Sequence, residues 1–186
     1  VGYVMDYAFN LLKDDAKKLR NSLEQNGAKK IIAVFDENSS DDPRWHSGHE
    51  LQRDNYVHVL EKVLSENYLG VIFKPKIASN LRKRLGDVNI LLEEATKTGR
   101  CCVLEDDHAS NQSLIQPVLA GLASDVVIHG HLCVGTAAVE CALANIPTLL
   151  VDREGSPFNK LYIELANKDI VYTNWKEAIN FIIDNF

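Results

Sequence analysis

The sequence contains no tract of basic residues. Its 20 Lys and Arg residues are outnumbered by 26 Asp and Glu residues, which gives a formal net charge of −6. Proteins that bind nucleic acid need clustered cations to neutralise successive phosphates. We therefore predict that nucleic acid is not a partner of this chain.

Long hydrophobic runs are missing as well. The longest apolar runs, such as residues 147–151, are far shorter than the roughly 20 residues that a membrane-spanning helix requires. No signal-peptide pattern opens the chain. We predict a soluble domain, which leaves peripheral association of a longer parent enzyme with a membrane open. Because the chain begins at Val1 rather than Met and ends at Phe186 within a helical pattern, we expect it to be part of a longer protein.

Cysteine is scarce and shows no pairing pattern. The four cysteines, at positions 101, 102, 133 and 141, form no CxxC motif. The chain is also larger than the small secreted scaffolds that depend on disulfides. This usage predicts a reducing, cytoplasmic setting. Cys101 and Cys102 lie in a predicted buried strand, where we expect them to pack rather than to act as nucleophiles.

The sequence also lacks the short glycine motifs of several large enzyme classes. It has no GxGxxG and no GxxxxGK[ST], which argues against dinucleotide-dependent dehydrogenases and P-loop enzymes. It has no GxSxG, the nucleophile turn of α/β-hydrolases. With 186 residues and 46% hydrophobic content, the chain can bury one α/β core but not two.

What the sequence does contain is a regular alternation of short apolar runs and helical patterns. The predicted strands lie within residues 30–36, 70–74, 101–104, 125–129, 148–151 and 170–172. The predicted helices cover residues 9–26, 49–65, 78–97, 113–122, 136–145, 157–166 and 174–184. Short buried strands separated by helices indicate a parallel sheet with helices on both faces. We predict a Rossmann-like α/β domain over residues 28–186, with residues 1–27 as a leading helical segment.

Polar residues and glycines collect in the loops after the first, fourth and fifth predicted strands. These loops read DENSSDDPRWHSGHE, HGHLCVGT and DREGSP. In a doubly wound sheet of order 3-2-1-4-5-6, ligands bind beyond the carboxyl ends of the strands, where strands 1 and 4 are neighbours. The clustering therefore predicts a binding site at this edge of the sheet.

The loop after the fourth strand is the most informative of the three. Gly130 and Gly135 permit close approach of the backbone to a ligand, and Thr136 is a suitable cap for the following helix. The free N–H groups at the start of such a helix suit a phosphate. Glu140 is predicted to lie within about the first turn, where its carboxylate can accept hydrogen bonds from ribose hydroxyls. An ordinary capped helix would have the same residues, and that alternative stays open.

Residues 123–152, ASDVVIHGHLCVGTAAVECALANIPTLLVD, resemble the donor-site stretch of GT-B glycosyltransferases and related nucleotide-sugar epimerases. In that family a glycine-bearing loop leads into a helix whose Glu holds the nucleotide ribose, and an alanine-rich stretch, a proline and a strand follow. Gly135, Thr136, Glu140 and Pro147 occupy those places. From about residue 28 onwards, the order of elements also resembles the carboxy-terminal half of such enzymes, particularly those that build surface polysaccharides.

The resemblance implies a donor-binding domain of an enzyme that transfers a sugar from a nucleotide-sugar to a surface polysaccharide or a related glycan acceptor. The nucleotide-sugar would be a substrate, and no cofactor is implied. A typical GT-B chain also has an acceptor-binding half, which this sequence lacks and which would be its partner. We therefore expect the isolated domain to be inactive, and its catalytic residues stay unassigned.

Further donor contacts are predicted in the remaining loops. Lys74 follows the second strand and can meet a diphosphate as a point charge, with Lys76 as a weaker candidate. Glu154 and Gly155 precede a predicted helix, for which Ser156 and Pro157 already provide an ordinary start. A solvated surface lysine and a capped helix are the alternatives.

The long loop after the first strand supplies the other candidates. Asn38, Ser39 and Ser40 are predicted ligand contacts, because functional residues favour loops on a rigid scaffold. His46 and His49 are candidates for contacts with the glycosyl group. The composition is also that of an ordinary hydrated loop.

Three residues that alternate along the chain raise the question of a metal. His129, His131 and Cys133 would lie on one face of an extended segment, and their side chains are zinc ligands by type. Because no fourth ligand is identifiable, we predict no metal site. His131 is instead the better candidate for a hydrogen bond to a phosphate or a sugar.

Two other functions remain compatible with the sequence. A nucleotide-sugar 2-epimerase has a similar donor half but needs acid and base residues around the sugar ring. A non-catalytic Rossmann-like module that binds a partner would show no stabilisation by nucleotides. The nucleotide base, the sugar, the acceptor, the stereochemical course and the oligomeric state stay open.

Overall fold

The computed structural model describes residues 6–42, 48–105, 115–130, 135–153, 160–166 and 168–186. It contains one six-stranded sheet of order β3-β2-β1-β4-β5-β6, in which neighbouring strands are parallel. The strands are β1 (Lys30–Phe35), β2 (Leu69–Lys74), β3 (Cys101–Val103), β4 (Val126–His129), β5 (Thr148–Val151) and β6 (Val171–Tyr172). The predicted Rossmann-like α/β class is confirmed.

Nine α-helices are seen in the described residues. They are α1 (Tyr7–Leu11), α2 (Lys13–Glu24), α3 (His49–Ser65), α4 (Leu81–Leu85), α5 (Asn89–Lys97), α6 (Pro117–Leu122), α7 (Thr136–Leu143), α8 (Lys160–Ala166) and α9 (Trp175–Asn185). Short 3-10 turns at Ala78–Asn80 and Gly86–Val88 flank α4. Within the described ranges, none of these helices has the length and apolar character that crossing a bilayer would take.

The helices cover both faces of the sheet, and β1 shows why. Its side chains alternate between the two faces, as the period of two in a strand requires. Ile32 and Val34 pack into one core with residues of α3, α5 and α9. Ile31, Ala33 and Phe35 pack into a second core with residues of α2, α6 and α7. All five side chains are buried, which matches a strand that reads as a continuous apolar run.

Three predicted elements differ from the structure in detail. The predicted helix 9–26 is interrupted after Leu11 and resumes at Lys13. The predicted helix 78–97 is divided into α4 and α5, because Gly86 adopts a φ of +55°, which a helix interior does not allow. The predicted helix 113–122 is described only from its later residues, and Pro117 stands in its first turn, where the missing N–H costs nothing.

The three cysteines among the described residues are free thiols, of which Cys101 and Cys141 are buried and Cys102 is partly buried. Burial raises the pKa of Cys101 and of Cys102 to about 12 each, and it also raises the pKa of Cys141. Because the thiolate is the reactive form, buried neutral thiols resist alkylation. We expect iodoacetamide to leave all three unmodified in the native protein and to modify them in urea, as measured by peptide mass mapping. Modification of Cys101 or Cys102 under native conditions would contradict this.

Candidate functional site

The carboxyl ends of three adjacent strands meet at one level of the sheet. Phe35, the last residue of β1, is in register with Lys74 of β2 and with His129 of β4. The direction in which successive strands are added to the sheet reverses after β3. Strands β2 and β3 lie on one side of β1, while β4, β5 and β6 lie on the other. This is the position at which doubly wound sheets form a ligand crevice.

Glu37 links the loop after β1 to both neighbouring strands. Its Oε1 lies 3.8 Å from Nε2 of His129, whose side chain is only 1% exposed. Its other carboxylate oxygen forms a close ion pair with Nζ of Lys76. The edge of the sheet therefore holds a buried imidazole beside a carboxylate, at the strand boundary where a ligand is expected.

Gly130 is required at the end of β4 by packing. Its N–H donates to the carbonyl of Phe35 at 3.1 Å, which continues the pairing of β4 with β1. A Cβ atom at this position would lie 2.9 Å from Cζ2 of Trp175 and 3.1 Å from Nδ2 of Asn55. Gly135 differs, because a Cβ there would meet its nearest neighbour, Leu150 Cδ2, at an ordinary 3.8 Å.

Two side chains beside Gly130 each have a buried polar atom. Among the residues that the structure describes, neither Oδ1 of Asn55 nor Nε1 of Trp175 has a hydrogen-bond partner. The side chain of Trp175 is 1% exposed. Buried polar atoms are nearly always hydrogen-bonded, so an open acceptor and an open donor at one place require an explanation.

Helix α7 begins one residue earlier than it would if Thr136 were its cap. Gly135 occupies the N-cap position and Thr136 is the first helical residue, so the prediction that Thr136 caps this helix is wrong. Glu140 is consequently the fifth helical residue and lies beyond the first turn. Its side chain is 8% exposed, and Asp152, which follows β5, is 9% exposed. The loops after β4 and β5 thus each lead to a buried carboxylate.

The lysine predicted at the end of β2 is buried rather than exposed. Lys74 is 5% exposed, and its Nζ donates to the carbonyl of Pro75 at 3.0 Å. It stands one strand away from the β1–β4 boundary. In the loop after β5, Arg153 forms an ion pair of 2.7 Å with Asp54 of α3.

A buried polar network that the sequence did not indicate lies behind the loop after β1. Asp36 accepts hydrogen bonds from Nε2 of Gln52 at 2.6 Å, from the hydroxyl of Tyr56 at 2.9 Å and from the N–H of Lys76 at 2.8 Å. The guanidinium of Arg84 is 3% exposed and lies 3.8 Å from the same carboxylate. Burial raises the pKa of Asp36, while the charge of Arg84 and these hydrogen bonds act in the opposite direction.

The network extends to two of the predicted site residues. Ser39 is 4% exposed, and its Oγ lies 2.7 Å from Nδ1 of His49 and in close contact with Oε1 of Gln52. Asn38 and Ser40 are half-buried, and Oγ of Ser40 accepts from the N–H of Asp42 at 3.2 Å. A cleft of about 360 Å³ opens beside them, and Ser40, Asp41, Asp42, Gly48, His49, Glu50 and Arg53 line it.

Several predicted site residues lie outside the described part of the chain. They are His46, His131, Glu154 and Gly155, and Cys133 of the rejected zinc hypothesis lies outside it as well. In the ranges that are described, no three His, Cys, Asp or Glu side chains cluster closely enough to hold a metal ion. The predicted residues that the structure does place around the edge of the sheet are Lys74, Asn38, Ser39, Ser40, His49, Gly135, Thr136 and Glu140.

Comparison with known proteins shows no family for this chain. No family model and no curated protein matches the chain. One solved structure, the N-terminal domain of trehalose-6-phosphate phosphatase from Candida albicans, is similar with a TM-score of 0.46 and 14% sequence identity. The alignment covers 95% of this chain and 40% of that one. The assignment to a GT-B half stays a prediction.

Proposed function

We propose that this chain is the donor-binding domain of a glycosyltransferase and that it holds a nucleotide-sugar at the boundary between β1 and β4. The observation that carries the proposal is that two side chains beside Gly130 have buried polar atoms, Asn55 Oδ1 and Trp175 Nε1, for which the described part of the chain offers no hydrogen-bond partner. A ligand at this edge would supply the missing donor and acceptor.

The elements around that position suit a nucleotide diphosphate. The free N–H groups at the start of α7 favour an anion, and the described side chains do not crowd Gly135. Glu140 lies four residues along the helix, about 6 Å from its first residue at 1.5 Å per residue. Helical side chains lean toward the N-terminus, so its carboxylate is carried back in the direction of the proposed ribose.

The proposed chemistry is loss of the nucleotide from the anomeric carbon of the sugar. The helix N-terminus and a lysine such as Lys74 would stabilise the negative charge that develops on the leaving phosphate. Glu140 would fix the ribose, which keeps the reacting carbon in one place. The other half of the parent enzyme would complete the binding site of the glycan acceptor.

The proposal predicts selective stabilisation by one nucleotide. In a thermal-shift screen of UDP, CDP, CMP, GDP and their sugar conjugates, a ligand at 100 times its dissociation constant should add about 2.7 kcal/mol of stability. We expect the stabilisation to disappear in Glu140→Ala, with each variant compared with its own ligand-free melting temperature. Glu94→Ala, on an exposed position of α5, is the matched control and should keep it.

Two results would count against the donor site. Equal stabilisation of Glu140→Ala and the wild type would remove Glu140 from the site. No stabilisation by any nucleotide would favour a non-catalytic module that binds a partner. If a nucleotide-sugar binds, product analysis with the parent enzyme separates glycosyl transfer from epimerisation.

A further inference from the structure

The buried network fixes the orientation of the Gln52 amide. Nη1 of Arg84 lies 2.6 Å from one terminal atom of Gln52, and a guanidinium can only donate, so that atom is the oxygen Oε1. The amide nitrogen is then at the other end, where it donates to Asp36 at 2.6 Å. Both ends agree on the same orientation, which does not depend on the protonation of Asp36.

This orientation determines where the hydroxyl proton of Ser39 goes. Oγ of Ser39 is in close contact with Oε1 of Gln52, and an amide oxygen can only accept. A serine hydroxyl has a single proton, so Ser39 donates to Gln52 and can only accept from other neighbours. The contact of 2.7 Å between Ser39 Oγ and His49 Nδ1 is therefore a hydrogen bond that His49 donates.

The direction of this bond is the reverse of that in serine hydrolases. There the serine donates to the imidazole and becomes a nucleophile. Here neutral His49 carries its proton on Nδ1, and the lone pair is on Nε2. The side chain of His49 is 20% exposed and borders the cleft beside the loop after β1. The lone pair is thus available to a ligand.

The charges around the cleft select the kind of ligand. Three acids, Asp41, Asp42 and Glu50, and one base, Arg53, contribute to its lining. Oδ2 of Asp41 lies 3.6 Å from Nε2 of His49, so this negative charge is at the ring itself. The excess of negative charge disfavours phosphate and suits a neutral, hydroxyl-rich ligand.

We propose that His49 is a general base that takes a proton from a hydroxyl group of a carbohydrate in this cleft. Ser39, Gln52 and Arg84 act as positioning residues that hold the lone pair on Nε2. This rests on the proposed donor site for the rest of the reaction. The hydroxyl proton moves to Nε2, and the hydroxyl oxygen bonds to the anomeric carbon. The bond from that carbon to the nucleotide phosphate breaks, and its electron pair leaves with the nucleotide.

The tautomer of His49 tests the proposal directly. We expect ¹⁵N NMR at mildly alkaline pH, where imidazole rings are neutral, to show almost only the Nδ1–H form in the wild type. In Gln52→Leu the Ser39 hydroxyl is released and can donate to Nδ1, so the Nδ1–H fraction should fall below half. Ser39→Ala should also lower it, and Gln25→Leu, at an exposed position, should not. A wild-type His49 protonated on Nε2 would overturn the proposal.

A ligand titration tests the cleft. Methyl glucoside should shift the Nε2 resonance of His49, whereas inorganic phosphate should not; the opposite pattern would overturn the assignment of a neutral ligand. A result that contradicts the general-base proposal can be distinguished from one that contradicts the proposed donor site. If a nucleotide stabilises the protein but His49 carries its proton on Nε2, only the general-base proposal is wrong. If His49 shows the expected tautomer and the glucoside response but no nucleotide stabilises the protein, the sugar-transfer step is wrong and a carbohydrate site remains.

Discussion

Replacing Arg84 with Met is expected to lower the free energy of unfolding by about 3–5 kcal/mol, because it leaves a buried charge without its partner. Arg84 is 3% exposed and lies 3.8 Å from the Asp36 carboxylate. Its guanidinium also donates to Oε1 of Gln52, to Oδ1 of Asn80 at 2.7 Å and to the carbonyl of Ile77 at 3.1 Å. Urea denaturation monitored by circular dichroism measures the loss, provided that the slope m is unchanged.

The double variant with Asp36→Asn identifies the cause of that loss. If the unpaired Asp36 carboxylate accounts for most of the loss, Arg84→Met should lower the free energy of unfolding much less when Asp36 is already replaced by Asn. Equal costs in the two backgrounds would attribute the loss to the other hydrogen bonds of Arg84 instead.

The pH dependence provides an independent check on Asp36. Its pKa is raised by burial, so the folded chain binds the proton more tightly than the unfolded chain does. The resulting stabilisation is complete below pH 3.8, the ordinary pKa, and is lost as the pH rises through the folded pKa. The stability of Asp36→Asn relative to the wild type should therefore increase as the pH rises through this window. A difference that does not change with pH would contradict the raised pKa.

Replacing Trp175 with Ala is expected to cost about 3–5 kcal/mol, as truncations of buried aromatic side chains do. Trp175 is the first residue of α9, is 1% exposed and packs in the core that α9 shares with α3 and α5. Its Cζ2 atom would lie 2.9 Å from a Cβ atom at position 130, so the indole ring packs close to Gly130 at the end of β4. We therefore expect Trp175→Ala to weaken nucleotide stabilisation as well as the fold, measured by urea denaturation and by thermal shift.

Trp175→Phe separates packing from hydrogen bonding. Among the described residues Nε1 of Trp175 has no partner, so Phe removes ring volume and breaks no hydrogen bond within them. We expect Trp175→Phe to be clearly less destabilising than Trp175→Ala. Phe186→Ala, at the exposed end of the same helix, is the control and should cost little. Equal losses for Phe and Ala at position 175 would show that packing volume is not what stabilises this position.

The sequence was sufficient to predict the central strands because β1, β2 and β4 are buried on both faces. A segment such as Ile31–Phe35 leaves no polar position along its length, so its limits are visible as a change in composition. The helices were harder to delimit. Gly86 lies inside a continuous helical pattern, and only the tertiary structure decides whether a glycine there remains helical or takes a positive φ, as it does here.

The polar network could not be predicted from the sequence in the same way. Gln52 and Tyr56 are four residues apart on α3 and so share one face, which the sequence does show. That this face meets Asp36, and that Arg84 comes from another helix to join them, depends on how the helices pack on the sheet. An arginine between leucines on a short helix gives no sign that it is buried. The same limit applies to Glu140, whose burial follows from the position of α7.

The strands become shorter from the centre of the sheet to its edges. β1 and β2 have six residues each, whereas the edge strands β3 and β6 have three and two. An edge strand exposes unpaired backbone groups that can pair with another chain, and a long, flat edge is a template for aggregation. Edges of two or three residues offer too few such groups to recruit a further strand. The taper of the sheet thus disfavours edge-to-edge self-association of this domain.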